Sequence, residues 1–366
     1  IFEDLILQGS SSIALGTIDL SRPATNQCQS TAENITIRGF NFQHGGKDAI
    51  FINCGHHISI VNNKFDNLRS RIPGKDTNAI SLVYYSNDIV ISDNNFHDIG
   101  ADGVHILDTE GAQHTNIQIN YNHFEITRPY IPRDQYGNII PSGQEVFYNV
   151  GENAISIKKG PGPIIISDNL VHGFRPTLPN QDASGSAGEG INITNSSSNV
   201  TLRKNRFSDN VSHLYIVNGG NTNNKSIQNI LINNNIFEDT ASSNSITPIS
   251  LRIGELSNIK VFNNTFLNSP GSKATIFRLV DSDNVEIKNN VFINGEIFIG
   301  TNNVTNINID HNAWTGVFRK LNSSNIIGTH AVATTNPGID PLTWEPLPGS
   351  PLIDTGTFVD IADDYY

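Results

Sequence analysis

The sequence contains few charged residues, and basic residues are the scarcer kind. Only 16% of its 366 residues are charged, and 23 lysines and arginines face 35 aspartates and glutamates, which gives a formal net charge of -12. No basic stretch is present that would release counterions from a phosphate backbone or an anionic membrane. The composition therefore excludes nucleic acid and membrane surfaces as expected partners.

Long apolar runs are also missing, and the chain has only two cysteines. No stretch approaches the ~20 apolar residues that a membrane-spanning helix needs, and Ile1 begins in strand-like sequence without the features of a secretion signal. We expect a secreted, monomeric protein whose signal has been removed. Cys28 and Cys54 lie about one predicted coil apart, so they either form a disulfide between neighbouring coils or are two buried thiols.

No internal linker or break in composition divides the chain, so one elongated domain is the simplest interpretation of its length. Hydrophobic residues make up 37% of the sequence, and asparagine and serine are very frequent. Much of the polarity is therefore neutral amide and hydroxyl rather than ionic. Such a surface suits a protein that faces carbohydrate.

An eight-residue pattern recurs ten times and predicts stacked strands. Its first and third positions are always aliphatic while the second and fourth vary, which is the alternation of a strand with one buried face. The sixth position is asparagine in nine copies, and the eighth is nearly always aromatic. The ten copies begin at Ile35, Ile58, Ile89, Ile117, Ile164, Val200, Ile230, Ile259, Val285 and Ile307.

This repeat predicts an all-β chain, a right-handed parallel β-helix (β-solenoid) of about ten coils. The asparagines are expected to form an internal ladder along the axis, and the aromatic residues an internal stack. A second strand follows in most coils, with a small or polar residue before alternating aliphatics, as in 102–106 and 189–193. The single domain 1–366 is divided into an N-terminal coil 1–34, regular coils 35–314 and a C-terminal capping tail 315–366.

With this repeat the chain resembles the pectate-lyase-like superfamily of parallel β-helices, over roughly Ile35 to Trp314. The resemblance implies a fold rather than an activity, because lyases, hydrolases, epimerases, phage tailspikes and adhesins share the architecture. The sequence motifs of polygalacturonases, of mannuronan epimerases and of the commonest pectate lyase family are not found.

The longest insertions occur in the middle coils, at Asp66–Thr77, Glu125–Glu152 and His172–Gly188. Because they leave the same corner of nearby coils, we expect them to form one wall of a cleft beside the second strands. Basic and aromatic residues in this wall suggest an anionic sugar chain; the alternative is that the loops only cover the core and form ion pairs. The predicted substrate-binding residues are Arg128, Arg133, Tyr148, Arg175, Tyr215 and Arg252.

Alternate residues of the second strands are expected to form outward columns that face this cleft. Lys158 stands mid-sheet in the coil with the longest loop. The resemblance implies that a uronate lyase would remove the C5 proton with such a lysine, while calcium or a cation neutralises the sugar carboxylate. Lys158 is therefore the predicted base and His105 the acid or alternative base. The alternative is that Lys158 and Lys159 are surface lysines before a turn.

Three carboxylates, Asp102, Asp108 and Glu189, offer hard oxygen ligands that are compatible with Ca²⁺. The alternative is that acidic and amide residues at this position cap the turn with their own side chains. Asp102 and Glu189 are also expected to lie two coils apart, about 9.6 Å, near the upper end of the separation typical of inverting glycoside hydrolases.

The sequence therefore favours a secreted enzyme that acts on a polysaccharide. A lyase that cleaves a uronic-acid polymer of pectate or alginate type by β-elimination is the first hypothesis. A glycoside hydrolase that uses Asp102 and Glu189 is the alternative. A third possibility is a non-catalytic carbohydrate-binding solenoid, such as an adhesin or tailspike shaft.

Overall fold

The computed structural model of the protein describes residues 6–8, 18–20, 32–68, 76–107, 114–127, 138–139, 141, 151–174, 188–195, 197–217, 227–238, 249–254, 256–268, 275–294, 296–299, 305–315, 319–320, 328, 330, 332–334, 336–340 and 345–359. These residues form strands and turns. No helix that is long and apolar enough to cross a membrane occurs among them.

One sheet consists of twelve short strands that stack in chain order with parallel pairing. It consists of β1 (Ile6–Gln8), β4 (Asn41–Gln43), β6 (Lys64–Asp66), β8 (Asn95–His97), β11 (His123–Glu125), β14 (Leu170–His172), β17 (Arg206–Ser208), β20 (Ile236–Glu238), β23 (Thr265–Leu267), β26 (Val291–Ile293), β29 (Ala313–Trp314) and β31 (Val332–Ala333).

The remaining strands form two further parallel faces. Two long strands, β5 (Ile50–Val61) and β7 (Ile80–Ser92), bend at a corner and belong to both faces. The face that carries the eight-residue repeat, called the repeat face, also contains β3 (Ala32–Arg38), β10 (Thr115–Asn120), β13 (Ile164–Ser167), β16 (Ser198–Arg203), β19 (Ile227–Asn233), β22 (Leu256–Phe262), β25 (Asp283–Lys288) and β28 (Thr305–Asp310).

The other face, called the site face, is built from the predicted second strands. It also contains β2 (Ile18–Leu20), β9 (Asp102–Leu107), β12 (Asn153–Ile157), β15 (Glu189–Thr194), β18 (Ser212–Val217), β21 (Ile249–Gly254), β24 (Thr275–Val280), β27 (Glu296–Ile299) and β30 (Arg319–Lys320). Each turn of the chain supplies one strand to each face in the same order. The predicted all-β parallel β-helix is confirmed.

The core lies inside the three faces, and the alternation of the repeat accounts for it. In β10, for example, Ile117 and Ile119 are fully buried while Gln118 between them is partly exposed. Burying an isoleucine side chain stabilises the fold by roughly 1.5–3 kcal/mol. The same inward positions are aliphatic in every copy of the repeat, so the core is continuous along the axis.

The predicted asparagine ladder is present. Its nine members run from Asn63 to Asn312, and the side-chain amide of each donates to the amide oxygen of the next at 2.9–3.1 Å. The same oxygen also accepts the backbone N–H of the preceding ladder residue, as Asn235 Oδ1 does from Asn205 N at 3.0 Å. These bonds satisfy the buried backbone at the corner where the repeat strand ends.

The predicted aromatic stack is also present, in two runs. Phe42, Phe65, Phe96 and Phe124 stack with ring centroids 4.4–5.0 Å apart. A second run extends from Phe207 to Phe292, with spacings of 4.6–5.1 Å. Val171 occupies the position between the two runs, in the one copy of the repeat that ends in an aliphatic residue.

Strands on both sides of the regular repeat pair onto it, since β1 pairs with β4 and β31 pairs with β29. In the C-terminal tail, Thr357 exchanges two backbone-to-amide hydrogen bonds of 2.7 and 2.9 Å with Asn289. This part of the tail lies along the side of the β-helix. The division of the chain at 35 and 314, and the capping function of the tail, remain predictions.

Cys54 lies at the bend of β5 and is disulfide-bonded. Cys28, the other cysteine of the chain, lies outside the described residues. Of the two alternatives that the sequence left open, the structure supports the disulfide.

Candidate active site

A column of polar residues begins the strands at the centre of the site face. Asn153 pairs with Asp102 on one side and with Glu189 on the other. The two carboxylates are therefore two strands apart, as predicted, which corresponds to about 9.6 Å. All three residues are buried, with 1–4% of their surfaces exposed.

A close backbone approach explains why a glycine follows each of these carboxylates. A Cβ atom on Gly103 would lie 2.6 Å from the carbonyl oxygen of Ala154 and 2.7 Å from the ring of Phe124. On Gly190 it would lie 2.7 Å from the carbonyl oxygen of His213. The corner that presents Asp102 and Glu189 therefore sits directly against the core, and its position is fixed by packing.

Asp102 is held by the side chains of three residues, Asn153, His105 and Asn78. Its Oδ1 accepts the amide of Asn153 at 2.7 Å, and its Oδ2 lies 3.1 Å from Nδ1 of His105. Its backbone N–H donates to Oδ1 of Asn78 at 3.1 Å. The carboxyl group is thus oriented from both sides and is not free to rotate.

This network continues into the preceding coil. The backbone N–H of Asn78 donates to Asp48 Oδ1 at 2.8 Å, and Ser81 Oγ donates to Asp48 Oδ2 at 2.6 Å. The Asn78 amide also lies 3.2 Å from Ser81 Oγ. Hydrogen bonds therefore connect the two acidic residues through Asn78, which couples their positions.

The electrostatics of the site favour protonated carboxyl groups. Burial raises the pKa of Asp102 to about 7, a rise to which the charge of Asp76 adds and which the hydrogen bond from Asn153 and the charge of Lys158 oppose. Burial and the neighbouring Asp102 likewise raise the pKa of Glu152 to about 8, while Lys158 opposes the rise. Near neutral pH the site therefore holds carboxylic acids that can give up a proton.

His105 is neutral over the same range. Burial, and to a smaller extent the positive charge of Lys158, lower its pKa to about 4. Its Nδ1 faces Asp102, and its Nε2 is buried with no hydrogen-bond partner among the described residues. If Asp102 is protonated, it donates to Nδ1 and Nε2 carries the proton; if Asp102 is ionised, Nε2 is an acceptor.

The unpartnered Nε2 is one of three such atoms in a row. His105, Ser156 and Asn192 are adjacent across β9, β12 and β15, and all three are buried. Within the described part of the chain, Ser156 Oγ and Asn192 Oδ1 also have no hydrogen-bond partner. Buried polar atoms are rarely left without partners, and three in a row indicate a place where a polar ligand supplies them.

Lys158 follows β12 directly, and its backbone N–H donates to the carbonyl oxygen of Ile106 at 2.9 Å. The side chain is half-buried, and its charge acts on Asp102, Glu152 and His105. The structure therefore brings the predicted base and the predicted acid together in one cluster with Asp102.

One predicted register is wrong. The alternation of the second strands predicts Arg252 in the column of Lys158, Thr194 and Val217, but in the structure Arg252 pairs with Tyr215, and Arg278 follows it. β21 is thus shifted by two residues from the predicted alignment. Two residues restore the same inward-outward alternation, so periodicity alone does not distinguish the two registers. Tyr215 and Arg252 are therefore neighbours in the column of His105.

Four predicted substrate-binding residues and one predicted metal ligand lie outside the described residues: Arg128, Arg133, Tyr148, Arg175 and Asp108. Their contributions, and the basic wall that the loops were expected to form, remain predictions.

Glu152 is a residue of the site that the sequence analysis did not select. Its backbone pairs with two small residues: its N–H donates to Ala101, and its carbonyl accepts from Gly188. A large acidic residue at a position where neighbouring coils have alanine and glycine was the available signal. In the sequence it was counted as the end of an insertion instead.

The described residues do not supply a calcium site around Asp102. Both of its oxygens already face polar partners, the amide of Asn153 and Nδ1 of His105. Neither Asp102 nor Glu189 belongs to a group of three described His, Cys, Asp or Glu residues whose ligand atoms converge. Calcium ligation by Asp102, Asp108 and Glu189 therefore remains a prediction, and no step proposed below depends on it.

Solved structures of the same architecture match most of the chain. The adhesin PfbA of Streptococcus pneumoniae is 14% identical with a TM-score of 0.50, over 81% of this chain and 72% of that one. The N-terminal fragment of bacteriophage Phi29 gene product 12 is 14% identical with a TM-score of 0.55, over 83% and 57%. XylC in complex with xylose is 12% identical with a TM-score of 0.50, over 85% and 55%.

The chain thus spans little more than half the length of the latter two structures. No protein-family model and no curated protein matches it. The structural likenesses confirm the parallel β-helix fold, and no family is identified.

Proposed function

We propose that this protein is a secreted, monomeric enzyme that hydrolyses a glycosidic bond in a polysaccharide, with the Asp102–His105 pair as the proton donor and Glu189 as the base. The observation that carries the proposal is the buried Nε2 of His105, which has no partner among the described residues and is backed by a carboxyl group whose pKa is about 7.

The proton donor acts through the imidazole because Asp102 itself is only 1% exposed and both of its oxygens are engaged. Nε2–H of His105 gives its proton to the leaving glycosidic oxygen, and the Asp102 O–H proton moves to Nδ1. The imidazole is neutral before and after the transfer, which agrees with its low pKa.

The base lies across the same face. Glu189 takes a proton from a water molecule, whose oxygen attacks the anomeric carbon as the bond to the leaving oxygen breaks. The strands of Asp102 and Glu189 are about 9.6 Å apart, close to the upper end of the carboxyl separation of inverting enzymes, roughly 6.5–9.5 Å, which leaves room for this water on the side opposite His105. Ser156 and Asn192 lie in the adjacent column, beside His105, and offer unpartnered polar atoms to sugar hydroxyl groups.

The acidic character of the cluster favours a neutral sugar at the bond that is cleaved. Asp48, Asp76, Asp102, Glu152 and Glu189 lie in or beside the cluster, and Lys158 is the cation that acts on it among the described residues. A uronate carboxylate placed here would be repelled unless a cation accompanied it. The solved XylC structure contains xylose, a neutral sugar, which is consistent with this choice.

The second candidate is the lyase that the sequence favoured. The position of Lys158 beside His105 and Asp102 supports it, because a lysine and an imidazole would then flank the C5 proton of a uronate. Lys158 takes that proton, the bond from C4 to the leaving oxygen breaks, and His105 protonates the leaving oxygen. Calcium, if bound, would neutralise the substrate carboxylate.

The two candidates differ in product and in pH dependence. We would incubate the protein with xylan, arabinan, pectate and alginate, with and without chelator, and measure new reducing ends and the absorbance of unsaturated uronates. Hydrolysis gives reducing ends without absorbance and declines above about pH 7, as Asp102 ionises. Elimination gives both signals and requires an unprotonated base, so it increases with pH.

Variants make the assignment specific. Asp102→Asn and Glu189→Gln should each abolish hydrolysis, while Lys158→Ala should retain it if the lysine only tunes the neighbouring pKa values. Absorbance that disappears in Lys158→Ala would instead establish the lyase. Binding of a polysaccharide without turnover, unchanged in Asp102→Asn, would contradict both and indicate a binding solenoid.

A further inference from the structure

A second column, outside the site described above, runs along the corner just before the repeat face. At nine described positions the residue that precedes the first aliphatic of a repeat strand has a left-handed backbone, with φ between 50° and 59°. Eight of them are asparagine or aspartate, the residues that tolerate this conformation best after glycine. They are Asn34, Asp88, Asn116, Asn199, Asn229, Asn258, Asn284 and Asn306.

His57 is the ninth member and the only histidine. Its φ of 50° turns its side chain toward that of His56, although adjacent residues of an extended strand point to opposite faces. The two rings are 3.7 Å apart between centroids. The next member of the column is Asp88, so two imidazoles and one carboxylate meet at this corner.

The distances between the three ligand atoms are close to those between ligands around a Zn²⁺ ion. Oδ2 of Asp88 lies 3.2 Å from Nδ1 of His56 and 3.5 Å from Nε2 of His57, and all three atoms lie within 4.8 Å of one another. Four ligands at 2.0–2.1 Å around Zn²⁺ are about 3.3 Å apart along each edge of the tetrahedron. The three atoms can therefore occupy three corners with little movement.

The remaining corner is accessible. The side chains of His56, His57 and Asp88 are 34%, 55% and 31% exposed. His57 and Asp88 border a surface groove of about 320 Å³ that Ser59, Val90, Asn116 and Gln118 complete. The amide of Asn116 donates to the other carboxylate oxygen of Asp88, which orients the carboxylate as outer partners of metal ligands do.

A second His–Asp group gives a comparison within the same chain. Asp310, His311 and His330 also converge, but Oδ1 of Asp310 already accepts two backbone N–H groups, at 2.9 and 3.1 Å. Its carboxylate is thereby committed to the turn, and His311 is largely buried. We interpret this group as a structural ion pair. In the His56–His57–Asp88 group, by contrast, Oδ2 of Asp88 faces both imidazoles and Oδ1 accepts the side-chain amide of Asn116.

We propose that His56, His57 and Asp88 form a binding site for a divalent transition-metal ion of the Zn²⁺ type, with its fourth position open to the groove. The ligand set of two imidazoles and one carboxylate is borderline in softness, which favours Zn²⁺, Ni²⁺ or Cu²⁺ over Ca²⁺ or Mg²⁺. The site is separate from the carboxylates of the candidate active site.

The test is a calorimetric titration of the chelator-treated full chain with Zn²⁺ at pH 7.5, supported by the visible spectrum of the Co²⁺ form. Wild-type protein should bind one ion at this site. Asp88→Asn and His57→Asn keep residues that suit the left-handed backbone, so both variants should fold. Each should weaken binding by about 100-fold or more, since removing a ligand costs at least as much as removing its outer partner.

Two control variants separate this site from other histidines. His97→Gln removes a histidine that pairs with Asp66 at 2.8 Å and, among the described residues, contacts no second histidine of a metal-ligand group, and should leave binding unchanged. His330→Gln alters the comparison group and should also leave it unchanged. The proposal is overturned if the wild type binds no Zn²⁺ at millimolar concentration, or if Asp88→Asn and His57→Asn bind it as tightly as the wild type.

Discussion

The buried carboxyl group of Asp102 should make the protein less stable at alkaline pH, and Asp102→Asn should remove that loss. In the unfolded chain this carboxyl ionises near its ordinary pKa of 3.8, whereas in the folded protein it ionises at about 7. As pH rises from 3.8 to 7, the unfolded state is therefore stabilised relative to the folded state, because only the unfolded state releases this proton. The stability that this group contributes is fully present below the pKa of the unfolded chain and is lost above the pKa of the folded protein.

The size of the effect follows from the shift. One pKa unit corresponds to about 1.4 kcal/mol, so the full shift corresponds to about 4 kcal/mol, of which about 3 kcal/mol falls between pH 5 and pH 8. Asparagine has the shape of the protonated acid. Its oxygen can accept the Asn153 amide and its amide can donate to His105 Nδ1, which preserves both contacts of Asp102.

The assay is urea-induced unfolding of both proteins at half-unit intervals from pH 5 to pH 8, followed by circular dichroism. We expect the free energy of unfolding of the wild type to fall by about 3 kcal/mol relative to Asp102→Asn across this range. Asp168→Asn, at a left-handed turn outside the cluster, serves as the matched control and should follow the wild type. A difference between wild type and Asp102→Asn that does not change with pH would refute the assignment of the raised pKa to Asp102.

Three further predictions concern stability and activity. Asn205→Ala removes four buried hydrogen bonds of the ladder, at 2.9–3.1 Å, and should lower the free energy of unfolding by about 2–5 kcal/mol. The control Asn308→Ala, on the exposed side of β28, should change it little. Equal effects of the two variants in urea unfolding would contradict a stabilising role of the ladder. Burial lowers the pKa of His213 to about 3, so the stability that its neutral form contributes above pH 6.5 is lost as pH falls. Between pH 6.5 and pH 4 the free energy of unfolding of His213→Gln should therefore decrease by about 3 kcal/mol less than that of the wild type. Glu152→Gln removes a carboxyl group that interacts with Asp102. Because two neighbouring like charges each raise the pKa of the other, this variant should shift the alkaline limb of the activity profile to lower pH, and an unmoved limb would separate Glu152 from the site.

The sequence by itself determined the architecture of this protein. The ladder of Asn63 to Asn312 and the stacks of Phe42 and Phe207 were predictable because each coil repeats the same local pattern and meets only its two neighbours. The columns around Asp102 and His105 were predictable for the same reason. The sequence also brought Lys158 and His105 to one face, since the alternation of the strand fixes which residues share it.

Tertiary structure alone decided the chemistry of the site. The raised pKa values of Asp102 and Glu152 and the unpartnered Nε2 of His105 come from burial, which depends on how coils separated by long insertions pack together. The register of Arg252 was not predictable, because a shift of two residues along the strand keeps the same alternation of inward and outward side chains. The convergence of His57 with Asp88 required a left-handed backbone at one turn, and no periodic pattern of side chains records a backbone angle.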